Sequence, residues 1–249
     1  MTISVLILNE DGSRGAHEAL TNIFRRICQL SRPGIPTQHL QFTPTKREFE
    51  GCVRANLWKS TNPRHFKQQI DLAQTIAAQL VIETGFVAFH YDGDCAWENR
   101  HVCAHDAVFE AHVRARVRLL LVNHVPAEQV EERLSKLLVL KPFYCLEAWT
   151  YQNLKKARDL CAARGNPPGT EQLDAWEADR GQLDEVLQLP DHFPLGKKFN
   201  AELTAQAYPA EQVYYLGKSF AASVDAALSC VPLTTALGRL LALPAGTAH

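Results

Sequence analysis

Three short apolar runs in this chain each lead into carboxylates. Ile3-Ser4-Val5-Leu6-Ile7-Leu8 runs into Glu10 and Asp11, Phe86-Val87-Ala88-Phe89 into Asp92 and Asp94, and Leu137-Leu138-Val139-Leu140 into Glu147. Each run reads as a strand, and the three can lie parallel in one sheet. If the three belong to one sheet, their acids meet at its carboxyl edge, where open α/β folds place ligands. Clustered carboxylates repel one another and resist desolvation, so a cation or a shared proton has to compensate them. A divalent-metal site is therefore the first expectation.

The punctuation between these runs predicts an α/β body succeeded by helices. Ser13 can cap a helix whose stripe reads Ala16, Ala19, Leu20, Ile23, Phe24, Ile27 and Leu30. Pro33, Pro36 and Pro44 interrupt the next stretch, leaving room for one short strand near Leu40 to Phe42. Helical spacing returns at Phe66, Ile70, Ala73, Ala77 and Leu80, and the chain re-enters the sheet through Gly85, a long crossover. A helix is expected from near Asp106, while Val117 to Val122 reads equally as its end or as a separate strand. A short helix is expected from Pro126 to Lys136 and another from Glu147. The clearest loop is Arg164-Gly165-Asn166-Pro167-Pro168-Gly169. It divides an α/β core, residues 1–163, from a mainly helical C-terminal region, residues 170–249, in which Val213, Leu216, Phe220, Val224 and Ala227 read as one amphipathic helix.

Composition narrows the function classes. An apolar fraction of 46% and a net charge of −1 describe an ordinary globular chain without a global basic field. Phosphate contacts would have to come from local groups such as Arg114/Arg116/Arg118, Lys155/Lys156/Arg158 or Lys197/Lys198, and each reads first as a solvated helix face. Seven scattered cysteines argue against a disulfide framework and for a reducing compartment. Cys95, His101, Cys103 and His105 lack the second pair that a zinc site of this kind needs. The chain enters a strand at once, without a basic leader, and holds no apolar stretch long enough to span a bilayer. A cytoplasmic protein without a membrane role is expected.

Asp92-Gly93-Asp94 directly after a strand puts two carboxylates on one tight loop, and oxygen ligands of this kind suit Mg²⁺ or Mn²⁺. The glycine between them allows close approach of backbone to a ligand. An Asp-Gly pair is also an ordinary turn, so the weight rests on the further acids after the other strands.

Glu10 in Leu6-Ile7-Leu8-Asn9-Glu10-Asp11-Gly12, with the strand-borne Asp92-Gly93-Asp94 far downstream, resembles the signature of the Toprim fold. That fold is shared by topoisomerases, primases and nucleases of the overcoming-lysogenization-defect type. The stretch from Pro142 to Trp149, with Glu147 opening a helix, is similar to the small Toprim-like nucleases encoded beside an ATPase in bacterial anti-phage loci. Lys197-Lys198 and Tyr215-Leu216-Gly217-Lys218 resemble the basic pair and Tyr-x-x-Lys-like element of their helical C-terminal regions. One departure stands out: Asp11 separates Glu10 from Gly12, where the family has glycine directly after the glutamate. Asp11 reads either as an added ligand or as an acid favourable to its helix dipole.

The resemblance implies an open, mostly parallel Toprim-like sheet with helices on both faces and a helical C-terminal region. It also implies phosphodiester hydrolysis of DNA or RNA with Mg²⁺ or Mn²⁺. Glu10, Asp92, Asp94 and Glu147 would be its metal-binding and catalytic acids, and Lys197 or Lys198 would neutralise charge on the reacting phosphate. The partner implied is an ATPase subunit in a hetero-oligomer that restrains the nuclease. Two alternatives stay open: a catalytically inactive Toprim-like scaffold or sensor subunit, and an Asp-x-Asp nucleotide-sugar transferase, which has no use for Glu10. A receiver-type phosphoacceptor expects its acceptor Asp at about half the interval seen here.

Overall fold

The computed structural model of the chain describes residues 1–10, 13–44, 53, 55–58, 60–93, 103–185, 194–216 and 218–242. Within them the elements run β1 (Ile3–Asn9), α1 (Arg14–Ser31), β2 (Leu40–Thr43), α2 (Ala55–Trp58), α3 (Pro63–Val81), β3 (Gly85–His90), α4 (Ala104–Phe109), α5 (Ala115–Leu121), α6 (Val130–Ser135) and β4 (Leu137–Leu140). After the last strand come α7 (Glu147–Thr150), α8 (Leu154–Ala162), α9 (Gln172–Ala178), α10 (Asn200–Thr204), α11 (Ala210–Leu216), α12 (Lys218–Ser229) and α13 (Val231–Leu241).

The four strands form one parallel sheet in the order β2-β1-β3-β4. From β1 the chain first moves outward to β2, then crosses back to lay β3 on the other side of β1. The strand order thus reverses between β1 and β3, and the carboxyl ends of these two strands flank the crevice where doubly wound sheets bind ligands.

Alternation along the strands builds two cores. Val5, Ile7, Phe86, Ala88, Leu138 and Leu140 face α1 and the C-terminal helices α11 to α13. Leu6, Leu8, Val87, Phe89 and Leu137 face Trp58 of α2, the α3 stripe Leu72, Ala73, Ile76 and Leu80, and the helices between β3 and β4. Helix α1 begins where Ser13 Oγ accepts the Ala16 N–H at 3.2 Å, and α3 where Asn62 accepts that of Arg64 at 3.0 Å with Pro63 beside it. Gly85 is required at the return into β3, because a Cβ there would stand 2.1 Å from the Gln79 carbonyl oxygen.

A third cluster lies beyond β4. Tyr151, Leu154, Cys161, Leu173, Trp176, Leu195, Phe199 and Leu203 join α8, α9 and α10 in a small helical layer, and α10 packs along α1. The C-terminal region is helical as expected. Val117–Leu121 resolves as helix, continuing from α4 through a π-helical stretch, Glu110–Arg114. The single amphipathic helix expected over Val213 to Ala227 is instead two, α11 and α12, because Lys218 takes a φ of +70°, a left-handed conformation that a helix interior does not use. Among the described residues no single helix is long and apolar enough to cross a membrane.

Candidate functional site at the carboxyl edge of the sheet

Glu10 leaves the end of β1 and Asp92 lies two residues beyond β3. The structure joins them: the Asp92 backbone N–H donates to Glu10 Oε2 at 3.0 Å. The Asp92 side chain is 30% exposed. Asp94, in the same loop, lies outside the described residues, as do Asp11, Cys95 and His101.

The Asp92 loop is held from three directions. The Gly93 N–H donates to the Pro142 carbonyl at 3.0 Å, Cys103 Sγ donates to the Gly93 carbonyl at 3.2 Å, and His105 Nδ1 donates to the Asp92 carbonyl at 3.1 Å. A Cβ on Gly93 would lie 2.5 Å from the Phe143 carbonyl oxygen and 2.7 Å from that of Pro142. Glycine is therefore needed for approach to the chain's own backbone after β4. Cys103 and His105 serve here as clamps on main chain. Behind them Tyr91 donates its hydroxyl to Asp106 Oδ1 at 2.7 Å, and Lys141 pairs with Asp106 Oδ2 at 2.6 Å, tying the ends of β3 and β4 to α4.

Glu147 starts α7 and is 3% exposed. Its Oε1 accepts from Asn200 Nδ2 at 2.8 Å, a contact 53 residues apart in sequence. Burial, the charges of Glu147 and Asp92, and a hydrogen bond to Glu147 push the Cys145 thiol up, so that it stays protonated. Glu147 thus belongs to the same edge as Asp92, but Asn200 already engages one of its oxygens.

Lys197 and Lys198 form a short turn, with Phe199, immediately before Asn200, and both are exposed. A Cβ on Gly15 would meet the Lys197 carbonyl oxygen at 3.6 Å, so this turn sits against the first turn of α1 while Asn200 reaches Glu147. The C-terminal region therefore folds back to the acidic edge. Lys198 Nζ rests 5.3 Å above the Phe199 ring. Lys218 is occupied elsewhere, donating to the Gly181 carbonyl at 2.8 Å. The remaining basic groups are largely engaged within the fold. Arg118 is bidentate to Glu131, Arg116 donates to Gln69, and Arg158 pairs with Asp174 and Glu177.

Sequence reading missed His90. It ends β3, is 2% exposed, and lies in register beside the buried Asn9 of β1, on the face that carries Phe86 and Ala88. Among the described residues neither ring nitrogen has a hydrogen-bond partner, and neither does the buried Asp92 Oδ1 that stands 3.4 Å from His90 Nε2. The separation is within ion-pair reach. The strand alternation Phe86, Ala88, His90 was the available signal, since it puts an imidazole at the innermost point of the edge.

Among the described residues no group of three or more His, Cys, Asp or Glu side chains is already gathered around a metal position. The carboxylates of Glu10 and Asp92 are nonetheless oxygen donors of the right chemistry for a hard cation, and the buried Asp92 Oδ1 makes no hydrogen bond among the described residues, with His90 Nε2 3.4 Å away. A cavity of about 640 Å³ lies elsewhere, between α1 and the α11–α12 pair, and none of the edge residues lines it. Comparison with protein-family models, with curated proteins and with solved structures gives no match.

Proposed function

We propose that the chain is a metal-dependent nuclease of Toprim-like type, hydrolysing phosphodiesters of DNA or RNA as the effector subunit of an ATPase-containing anti-phage complex. One observation carries the reading: the Glu10 carboxylate after β1 meets the Asp92 loop after β3 at 3.0 Å, across the point where strand order reverses. An isolated Asp-x-Asp turn gives no reason for that contact.

Glu10, Asp92 and Asp94 would hold Mg²⁺ or Mn²⁺, with Glu147 supporting them from the β4 side. An ion held there would supply a lowered pKa for bound water and stabilisation of charge on the phosphate and leaving oxygens. The protein supplies position. Gly93, Cys103 and His105 lock the Asp92 main chain and Asn200 orients Glu147, while Lys197 and Lys198, in the turn packed on the start of α1, would supply positive charge. Because so many of the other basic groups are engaged internally, the chain alone offers few phosphate contacts, and a partner would supply most of the nucleic-acid path.

The inactive scaffold or sensor remains the second reading. It is favoured by the buried Glu147–Asn200 bond and by the lack of a three-ligand group among the described residues. Cleavage of single- and double-stranded DNA and RNA with Mg²⁺ or Mn²⁺ separates the two, assayed with and without the candidate ATPase. Glu10→Ala, Asp92→Ala and Asp94→Ala should each lose at least about a hundredfold in rate while keeping the folded circular-dichroism spectrum. Full activity in any of the three overturns the site. A parent chain that never cleaves, alone or with its partner, selects the scaffold.

A further inference from the structure

We propose that the chain carries a nucleotide site away from the acidic edge, on the outer face of α1, and that its ligand is a free nucleoside diphosphate or triphosphate. The base enters the cavity between α1 and the α11–α12 pair, and the phosphates enter a second cavity beside it. The inference is independent of the nuclease reading, because it uses none of the edge residues.

Helix α1 buries Ile23, Phe24, Ile27 and Cys28 and leaves Asn22, Arg25, Arg26 and Gln29 partly exposed, at the i, i+3, i+4, i+7 spacing of one face. That stripe borders two cavities, of about 640 and 460 Å³, which adjoin because Arg26 and Gln29 line both. Each is of the size that small ligands occupy. Their chemistry differs. The first is walled by Tyr208, Tyr214 and Tyr215 together with Leu30, Pro33 and Val224. The second is polar, lined by Asn22, Arg25, Thr37, Gln38 and Thr204, and no carboxylate lines it among the described residues.

The two arginines set the charge of the ligand. Arg14, Arg118, Arg158 and Arg239 each meet a carboxylate, whereas Arg25 and Arg26 meet none among the described residues although both are partly buried. Adjacent guanidiniums repel each other and lose hydration, and an anion bound to both relieves that cost. Their donors are only partly used. Arg25 donates to Asn22 Oδ1 at 3.4 Å while its guanidinium lies 4.9 Å over the Phe42 ring, and Arg26 donates to Gln29 Oε1 at 2.8 Å. The remaining N–H groups of such planar forks match phosphate oxygens bidentately.

The tyrosines set the other end. Tyr208 and Tyr214 are anchored, their hydroxyls donating to the Trp149 carbonyl at 2.9 Å and to Asp225 Oδ1 at 3.0 Å. Tyr215 is 77% exposed, with its ring centroid 5.6 Å from that of Tyr214. Tyrosine faces beside aliphatic groups suit a planar base, which gains stacking whatever its identity. Glu211 lines the first cavity and not the second, so charge orients the ligand with its phosphates toward the arginine-lined side. One segment serves both walls: Ala205 and Gln206 line the second cavity, Tyr208 and Pro209 the first. Between them Ala207 takes a φ of +67°, a left-handed conformation that alanine holds only where its surroundings impose it.

The test is calorimetric titration of the full-length chain with ADP, GDP, CDP and UDP in buffer containing EDTA, so that no divalent cation carries the ligand to the acidic edge. At least one should bind with a Kd of about 100 μM or below, and its nucleoside and pyrophosphate should each bind at least about tenfold more weakly. Arg25→Gln and Arg26→Gln should each weaken binding at least about tenfold, and Tyr215→Ser about threefold or more. The comparison of ligands needs no variant, so a poorly folding arginine variant leaves the inference testable. Binding of none of the four nucleotides overturns it. Pyrophosphate that binds as tightly as the nucleotide also overturns it, leaving a bare anion site. So does a short single-stranded oligonucleotide that binds more tightly than every nucleotide and displaces it, which assigns the groove to a strand.

Discussion

The two ends of the sheet treat a buried basic side chain in opposite ways. At the amino edge Lys136, 1% exposed, enters β4 with its ammonium donating to the carbonyls of Leu80, Ile82 and Glu83 at 2.8, 2.6 and 3.3 Å, and so closes the C-terminus of α3. Burial, helped by Arg133, lowers its pKa to about 8, and the nearby Glu132, Cys230 and Glu83 oppose that shift. At the carboxyl edge His90 is as deeply buried and has no hydrogen-bond partner among the described residues at either nitrogen. A fold that satisfies a lysine with three carbonyls can satisfy a histidine. The difference sets an amino edge where the buried cation is met by three carbonyls against a carboxyl edge where the buried imidazole meets only the Asp92 carboxylate, 3.4 Å away.

That contrast breaks first at Lys136. Lys136→Met keeps the apolar stem but strips the donor from three carbonyls, and should cost about 3 kcal/mol or more. Urea denaturation measures this, and a loss below about 1 kcal/mol would erase the distinction. Gly93→Ala comes next, because its Cβ meets two backbone oxygens that cannot rotate away. A loss of about 1–3 kcal/mol is expected, together with weaker metal binding, since the Asp92 loop must move. The smallest effect belongs to His90→Leu, which removes atoms that have no hydrogen bonds to lose. Its metal-free stability should stay within about 1 kcal/mol of the parent or rise. A large loss there would mean that His90 is structural after all.

Much of the scaffold was legible from residues alone, for a physical reason. β1, β3 and β4 are mainly apolar on both faces, which marks them as strands and suits the parallel sheet they form. The short β2 was found at Leu40 to Phe42 despite the prolines around it. The break between α11 and α12 was not, because it depends on one backbone conformation inside a pattern of otherwise good helical spacing. At the edge, the meeting of Glu10 with the Asp92 loop followed from strand parallelism. The Glu147–Asn200 bond did not, since it depends on how a distant turn docks. His90 was hidden for a different reason: at the end of an apolar run it reads as the run's boundary, although its alternation with Phe86 and Ala88 puts it on the inner face, where it is 2% exposed.

The central claim, a divalent-cation site spanning the ends of β1 and β3, is tested most directly by thermal unfolding of the full chain with and without Mn²⁺. At a hundredfold excess over Kd, binding to the native state adds about 2.7 kcal/mol, a rise of roughly 5–10 °C in Tm for a chain of this size. The account predicts that rise in the parent and its loss in both Glu10→Gln and Asp92→Asn, with Lys136→Met retaining it from a lower starting Tm. An unchanged parent, or variants at Glu10 and Asp92 that respond as the parent does, would contradict it.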